Sequence, residues 1–250
     1  SGAEDHLVCM WDNIAQMSSG STVGHGAASG LDGAREVQGT LYKGHQGVVG
    51  DVAWHKMTPS ICASVGDDRA LLFWDIRSSG GGRSSKGAKG PTLQKQGAHD
   101  KEVNALDFSP FDEHFLLTGG SDHVVKLWDT RKLEAPVYSF RGHASEIFNV
   151  QWSPHLENMF MSGSSDRRVY VWDIARVETE QSEVDAEDGP PELLFIHGGH
   201  TSRVSDLAWN LNEEWVVASV ADDNILQVWA MGENIYNPEY DLGIAGNVGD

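Results

Sequence analysis

Histidine, a hydroxyl residue and aspartate recur together along the 250-residue chain, and this combination of side chains can support nucleophilic catalysis. In each of four sets the hydroxyl lies 19 positions after the histidine, the aspartate 23 and a tryptophan 29. The sets are His45, Ser64, Asp68 and Trp74; His99, Thr118, Asp122 and Trp128; His143, Ser162, Asp166 and Trp172; and His200, Ser219, Asp223 and Trp229. A catalytic triad is needed once, beside a cleft, so a combination that occurs four times predicts a structural role.

The four residue types are suited to a buried hydrogen-bond network. An indole N–H can only donate, a carboxylate can only accept, and a hydroxyl or a neutral imidazole can relay between them. Buried polar groups must be paired, so such a network holds together the segments that carry its members. We therefore expect the four sets to stabilise four repeated structural units.

The sequence gives little support for a metal site, a disulfide scaffold or an enzyme active site. Of the 11 histidines four belong to the sets, and His197 and His200 have no cysteine or histidine cluster beside them at metal-ligand spacing. Cys9 and Cys62 are too few for a disulfide scaffold, and a single bridge between them is the alternative to free thiols. There is neither a Gly-rich phosphate loop before a helix nor a nucleophile elbow. We expect a protein that is not an enzyme and binds no metal or cofactor.

The charge of the chain restricts its partners. With 37 acidic and 18 basic residues the formal net charge is −19, which repels nucleic-acid backbones and anionic membranes and attracts basic proteins. Apolar residues make up 40% of the chain, enough for a folded body, yet no apolar run is long enough to span a bilayer. We expect an intracellular chain with basic protein partners, no direct nucleic-acid binding and no membrane contact.

The segments between the anchors are typical of β-strands. Residues 48–54 and 168–172 are short, rich in β-branched and aromatic side chains and bounded by Gly, Ser and Asp. The aspartate of each set precedes the last strand and can bond backbone groups within its own turn. A helical period occurs only at residues 231–236, where Pro238 would end it. The pattern predicts an all-β fold.

The Gly-His, Ser, Asp and Trp-Asp frame resembles that of WD40 β-propellers, whose blades are four-stranded sheets. The resemblance implies a chain of hydrogen bonds in each blade that links the indole to the hydroxyl, the hydroxyl to the imidazole and the imidazole to the carboxylate. Trp11 has Asp5 and Ser1 at the matching offsets but lacks the histidine, which indicates a partial repeat. Four complete repeats and a partial one would leave long unpaired edges, so we expect the C-terminal part of a larger, seven-bladed ring.

This frame divides the chain into four parts. They are the end of a truncated blade (1–17), a flexible insertion (18–39), four WD repeats with insertions at 77–97 and 177–196 (40–230), and a C-terminal helix and tail (231–250).

The insertion that begins at residue 177 carries the strongest functional signal. Seven acids precede a short apolar run, and Pro190 and Pro191 stiffen the joint. The acids are Glu178, Glu180, Glu183, Asp185, Glu187, Asp188 and Glu192, and the apolar run is Leu193, Leu194, Phe195 and Ile196. One interpretation is a solvated acidic loop that leads into an outer strand. The other is a binding rim for a basic amphipathic helix, whose cations would pair with the carboxylates while its apolar face rests on the strand.

Four stretches resemble the retinoblastoma-binding, Msi-type histone chaperones of the WD40 repeat proteins. They are EDGPPELLFIHGGH (187–200), EIFNVQWSPH (146–155), SDRRVYVWD (165–173) and MGENIYN (231–237). The resemblance implies a non-catalytic histone-binding subunit of chromatin-modifying, remodelling and assembly complexes. Its partners would be core histones of the central tetramer and an acetyltransferase, deacetylase, Polycomb or assembly subunit. Its location would be the nucleus, with the cytoplasm as a second location.

The resemblance also implies two sets of binding residues. A histone helix would meet the acidic segment and the C-terminal helix, and a basic peptide would cross the top face of the propeller. The helix site is Asp185, Asp188, Pro190, Pro191, Leu193, Phe195 and Ile235. The top-face site is Asp67, Asn104, Glu146, Phe148, Arg203 and Asp222.

An alternative function is that of a substrate-receptor adaptor of a cullin-type ubiquitin ligase. Trp74-Asp75-Ile76-Arg77 and Trp128-Asp129-Thr130-Arg131 resemble the Trp-Asp-x-Arg docking signature of such adaptors. On this hypothesis Arg77 and Arg131 would carry the docking.

Overall fold

The computed structural model describes residues 6–11, 39–77, 89–181 and 189–236. The strands in these ranges are all paired antiparallel and form five sheets. The N-terminal sheet is β1 (Leu7–Trp11) and β2 (Gly39–Lys43), and sheet 1 is β3 (Val49–Trp54), β4 (Ile61–Gly66), β5 (Leu71–Asp75) and β6 (Leu93–Lys95). Sheet 2 is β7 (Val103–Phe108), β8 (Phe115–Gly120), β9 (Val124–Asp129) and β10 (Tyr138–Arg141), and sheet 3 is β11 (Ile147–Trp152), β12 (Met159–Ser164), β13 (Val169–Asp173) and β14 (Leu193–His197). Sheet 4 is β15 (Val204–Trp209), β16 (Val216–Ala221) and β17 (Leu226–Ala230). The all-β prediction is confirmed.

Helices are minor elements of the described chain. A 3₁₀ helix, Ile174–Arg176, follows β13, and a four-residue helix, α1 (Glu233–Tyr236), follows β17. Neither these nor any other helix among the described residues is long and apolar enough to cross a membrane.

The sheets pack face to face through their first strands. β3 lies on β7, β7 on β11 and β11 on β15, so the four first strands form the inner wall of the assembly. Each sheet then runs outward in chain order, which is the arrangement of a β-propeller.

A repeated core joins each sheet to the next. In each core, two apolar side chains from the third strand of one sheet pack with the aromatic residue at the end of the first strand of the next sheet. The three groups are Leu71 and Phe73 with Phe108, Val125 and Leu127 with Trp152, and Val169 and Val171 with Trp209. Because each group is drawn from two sheets, the stability of one sheet depends on its neighbour.

A left-handed residue closes the turn before each third strand. It follows the aspartate of the set, and its φ lies between 61° and 71° at Arg69, His123, Arg167 and Asn224. The aspartate accepts a hydrogen bond from the backbone N–H two residues further on in all four turns. This is the turn chemistry expected for that residue. His6 has a φ of 64° and stands at the same distance before Trp11, in line with a partial repeat there.

Candidate functional site

The structure brings the members of all four sets together. In every set the indole Nε1–H donates to the hydroxyl at 2.8–3.1 Å. The hydroxyl lies 2.7–2.8 Å from the imidazole Nε2, and Nδ1 faces the carboxylate at 2.8–3.4 Å. Because the carboxylate can only accept, Nδ1 carries the imidazole proton, and Nε2 of the neutral ring accepts a hydrogen bond from the hydroxyl.

Burial sets the protonation of the network in sheet 2 and keeps substrates away from the hydroxyls of all four networks. Burial lowers the pKa of His99 despite the neighbouring Asp122, so the imidazole is neutral. Burial opposes ionisation of Asp122, but hydrogen bonds from His99 and the Asp100 N–H outweigh it and lower the pKa of that carboxyl to about 2. The four hydroxyls are at most 1% exposed, so none can act as a nucleophile on a substrate.

The predicted top-face residues lie at one edge of the sheets, where inner strands begin and second strands end. Three of them form a direct cluster: the Arg203 guanidinium lies 4.7 Å above the Phe148 ring, and its Nε donates to Asp222 at 3.1 Å. Ser205 also donates to Asp222. The cluster joins sheet 3 to sheet 4 and leaves Arg203 and Asp222 exposed to a partner.

The other three top-face residues are not part of this cluster. The Asn104 side-chain amide donates to Ser121 at 3.1 Å and to the Ile147 carbonyl at 2.9 Å, so it ties sheet 2 to sheet 3. Glu146 is half-buried, and Asp67 is exposed in the turn between β4 and β5. Three of the predicted residues are therefore carboxylates, and of these Asp222 pairs with the stacked Arg203.

The acidic segment is described only at its two ends. Asp185 and Asp188 lie outside the described residues, while Glu178 and Glu180 are exposed. Gln181 Nε2 donates to the Gly189 carbonyl at 3.0 Å and joins the two ends. Gly189 has a φ of +134°, which glycine adopts without strain.

The Pro-Pro joint after Gly189 is part of a tight turn. The Leu193 N–H donates to the Pro190 carbonyl at 2.9 Å, and Pro190 and Pro191 are both half-buried. The ends of the acidic segment are therefore held against sheet 3.

Glu192 does not belong to the exposed rim that the sequence suggested. It is 2% exposed, and its carboxylate accepts a hydrogen bond from the Tyr138 hydroxyl at 3.0 Å. Burial and this bond raise the pKa of Tyr138 to about 12. Glu192 is thus committed to an internal contact with sheet 2.

The apolar floor expected from Leu193 and Phe195 is divided in the structure. A bulge places Phe195 opposite Val171 but Leu193 opposite Trp172, so the strict alternation of the strand is broken. Leu193 packs against the core between sheets 2 and 3, whereas Phe195 packs against the core between sheets 3 and 4. Ile235 packs against the same core as Phe195, whereas Leu193, which is also half-buried, packs against the other.

The family model of the WD domain, G-beta repeat, matches residues 35–75, 90–129, 134–173 and 191–230. These ranges cover more than half of the chain and end at the residue after the tryptophan of each set. The chain belongs to the WD40 repeat family. A WD40 protein of this kind is a scaffold for protein–protein interaction, and no catalytic family is indicated.

Sequence reasoning missed a group of carboxylates beneath the top face of this WD40 chain. Asp51, Asp107 and Asp206 line a cavity of about 250 Å³ that also touches Phe148. Burial raises the pKa of Asp51 to about 6 and raises that of Asp107. The available signal was their position, since Asp51 and Asp206 both lie six residues after the histidine of a set.

No group of three or more His, Cys, Asp or Glu side chains in the described part of the WD40 chain could hold a metal ion. Two of the three carboxylates of the cavity instead link neighbouring sheets. The Leu106 N–H donates to Asp51 at 2.9 Å, and the Trp152 N–H donates to Asp107 at 2.9 Å.

The two Trp-Asp-x-Arg motifs have the same local geometry. Arg77 pairs with Asp75 at 3.0 Å and Arg131 pairs with Asp129 at 2.7 Å. Both guanidinium groups remain more than half exposed, at matched positions of sheets 1 and 2.

Proposed function

We propose that this WD40 chain is a non-catalytic histone-binding subunit of chromatin-modifying, remodelling and assembly complexes. The observation that supports it most is the acidic segment, whose two described ends are joined to each other by the Gln181–Gly189 hydrogen bond. The exposed Glu178 and Glu180 stand at its first end, and the apolar pair Phe195 and Ile235 lies beyond the second. An acidic rim near an apolar surface suits a basic amphipathic helix.

The first helix of a core histone has this chemistry. Its cations would pair with Asp185 and Asp188, and its apolar face would rest on Phe195 and Ile235. The two described ends of the segment are already joined, so fixing them on binding costs little further conformational entropy.

The top face would hold a second basic segment, such as a histone tail. Asp67, Glu146 and Asp222 supply negative charge there, and the Arg203–Phe148 stack fixes the position of Asp222. An incoming arginine would compete with Arg203 for Asp222 or bind the two remaining carboxylates. Binding at both places would let one subunit bring histones to an acetyltransferase, deacetylase, Polycomb or assembly factor in the nucleus, with the cytoplasm as a second location.

The test is the binding of a core-histone first-helix peptide to the full chain, measured by fluorescence anisotropy across salt concentrations. Replacing both acids (Asp185→Ala with Asp188→Ala) should weaken binding about tenfold at low salt, which is about 1.4 kcal/mol. Wild-type affinity should fall steeply as salt rises, because the contacts are ionic.

The matched control is Glu213→Ala with Glu214→Ala, which removes the same charge from an exposed loop of sheet 4. Equal weakening by both double variants would show only a general effect of net charge and would contradict the proposed site.

The alternative, a substrate-receptor adaptor of a cullin-type ubiquitin ligase, is favoured by one observation. Arg77 and Arg131 present the same exposed, carboxylate-braced guanidinium on neighbouring sheets. On that hypothesis Arg77→Ala with Arg131→Ala abolishes capture of the ligase scaffold and leaves the histone-peptide affinity unchanged. Loss of histone binding in the same variant, with no ligase capture by the wild type, would remove the alternative.

A further inference from the structure

A cavity of about 290 Å³ opens between sheets 1 and 2, at the edge opposite the top face, where the inner strands end. Ile61 and Phe73 of sheet 1 and Phe108 of sheet 2 form its apolar wall, and Leu93 of β6 also lines it. Phe73 and Phe108 are at most 4% exposed, whereas Leu93 is 42% exposed. The cavity therefore combines a buried aromatic wall with an apolar side chain at its mouth that a partner can reach.

The polar side of this cavity is held in place by the His55 imidazole. Its Nε2 donates to the Glu113 carbonyl of sheet 2 at 2.8 Å, because its Nδ1 accepts the N–H groups of Met57 and Thr58. The imidazole ring also lies 4.9 Å from the Phe108 ring, measured between centroids. A wall that is already ordered on both sheets does not have to be rebuilt when a ligand enters, which favours binding.

The matched place between sheets 2 and 3 is occupied by larger aromatic side chains of the chain itself. Trp152 takes the place of Phe108, since each lies nine residues after the histidine of its set. Tyr138 takes the place of Leu93, since each pairs with the residue 28 positions after the histidine of a set. Tyr138 packs against the core that contains Trp152. The chain thus fills this place with aromatic rings between sheets 2 and 3 and leaves it open between sheets 1 and 2.

The volume of the open place suits one aromatic side chain. A cavity of about 150 Å³ with an apolar lining is enough to bind benzene. The cavity between sheets 1 and 2 is larger, at about 290 Å³, and has room for a phenol or indole ring. Aromatic side chains that fill such pockets contribute a large share of the binding energy of protein interfaces.

Carboxylates lie beside the mouth of the cavity. Glu113 lines it, and the side chain of Glu113 is 60% exposed. Arg131 pairs with Asp129 at 2.7 Å. The hydrogen bond to Asp129, and then the charges of Asp112 and Glu113, raise the pKa of Arg131. Three carboxylates therefore surround one guanidinium, and this part of the surface favours a partner that brings positive charge.

We propose that the cavity between sheets 1 and 2 is a docking site for a basic segment of a partner protein that carries a large aromatic side chain. The ring would lie between Phe73, Phe108 and Leu93, in the way that Trp152 and Tyr138 occupy the matched place. A neighbouring lysine or arginine of the partner would pair with Glu113. This site lies on sheets 1 and 2, so it is separate from the acidic segment after sheet 3 and goes beyond the proposed function.

The experiment titrates the full chain with the peptide acetyl-Arg-Trp-Lys-amide and follows the methyl signals of Ile61 and Leu93 by NMR. Both signals should shift in a saturable way as the indole ring enters the cavity. The peptide acetyl-Arg-Ala-Lys-amide should bind about tenfold more weakly, because it has no ring to fill the cavity. The peptide acetyl-Glu-Trp-Glu-amide should also bind severalfold more weakly, because its charges are repelled by Glu113 and Asp112.

Two variants fill the cavity with the residues that the chain uses at the matched place. Phe108→Trp copies Trp152, and Leu93→Tyr copies Tyr138. Each should abolish the saturable shift of the Ile61 methyl signal. Because Leu93 is exposed, Leu93→Tyr leaves the fold intact and keeps the test valid if the buried change at Phe108 unfolds the chain.

A further pair of variants tests the charge. Glu113→Gln should weaken binding of the basic peptide about two- to fivefold, the range of one exposed ion pair. The matched control Glu213→Gln, at an exposed acid of sheet 4, should leave the affinity unchanged. Unchanged methyl signals with the tryptophan peptide, equal affinity for the alanine peptide, or full binding by Leu93→Tyr would each overturn the proposal.

The unmodified chain tests a different occupant. Light scattering after size exclusion should show a monomer, since the net charge of −19 opposes self-association. A dimer that Leu93→Asp dissociates would mean that a second copy occupies the cavity, and would overturn the proposal. Leu93→Tyr should bind the first-helix histone peptide as the wild type does, so the two sites can be confirmed or rejected separately.

Discussion

Sheets 2 and 4 carry the same kind of network at the same spacing, with Thr118 as the hydroxyl residue of one and Ser219 as that of the other, yet the distances in their networks differ. In sheet 2 the imidazole lies 2.8 Å from Asp122 and the indole 2.8 Å from Thr118. In sheet 4 the imidazole–carboxylate distance is 3.4 Å and the indole–hydroxyl distance is 3.1 Å. Sheet 2 lies between sheets 1 and 3, whereas one face of sheet 4 meets no other sheet in the described part of the chain. The serine network of sheet 3, which also lies between two sheets, keeps distances of 2.8 and 2.9 Å. The neighbouring sheet, and not the choice of hydroxyl residue, therefore accounts for the difference.

The largest predicted effect compares two valines at matched positions. Val171 is fully buried between sheets 3 and 4, and Val228 is exposed on the open face. Val171→Asp should cost about 4 kcal/mol or more of unfolding free energy, because it buries an unpaired carboxylate. Val228→Asp should change it by less than about 0.5 kcal/mol. Urea denaturation of both variants measures the difference, and a similar loss in each would mean that the face of sheet 4 is covered.

The next effect concerns the two tryptophans of the compared networks. Trp128 is 1% exposed, whereas Trp229 is half-buried. Trp128→Ala should cost about 3–5 kcal/mol, and Trp229→Ala clearly less because it removes a smaller buried surface. Denaturant midpoints give the ranking. A larger loss at Trp229 would reverse the proposed order of the two networks.

Lowering the pH should distinguish the stability contributions of two carboxylates that accept hydrogen bonds from residues of sheet 2. The pKa of Asp122 is lowered to about 2, so the stability it contributes is present above pH 4 and is lost as the pH falls toward 2. The pKa of Asp51 is raised to about 6, so the folded chain gains stability as the pH falls from 7 to 4.

The corresponding amides reduce one slope each. Asp51→Asn should make the Tm profile shallower between pH 7 and 4, where Asp107 still contributes, and leave the acid limb unchanged. Asp122→Asn should make the limb below pH 4 shallower, where Asp129 still contributes. A profile that neither variant alters would show that other groups carry the pH dependence.

The smallest effect is expected at the top edge of sheet 4. Arg203 and Asp222 are each almost half exposed, so water screens their ion pair. Arg203→Ala should cost less than about 1 kcal/mol, the loss of one exposed ion pair and one cation–π contact. Thermal unfolding of Arg203→Ala beside that of Arg168→Ala, an exposed arginine of sheet 3, measures it. A loss above 2 kcal/mol would mean that the cluster holds the sheets together.

The acidic segment shows how far sequence reasoning reaches toward a site. Its charge, its proline joint and its place before an outer strand could be predicted from the local sequence. The burial of Glu192 could not, because its partner Tyr138 lies 54 positions away on another sheet. The separation of Leu193 from Phe195 could not either, since a bulge has no reliable signature in a run of apolar residues.

The sequence by itself determined the networks and the repeat. A hairpin brings residues at constant separations together, so spacings of 19, 23 and 29 residues are sufficient to specify which groups meet. Only the tertiary structure decided which of the four networks are fully buried and which carboxylates accept hydrogen bonds from a neighbouring sheet. It also decided which pair of apolar side chains on a third strand stays exposed. Those properties depend on the neighbouring sheet, and the spacing within one repeat carries no information about what packs against it.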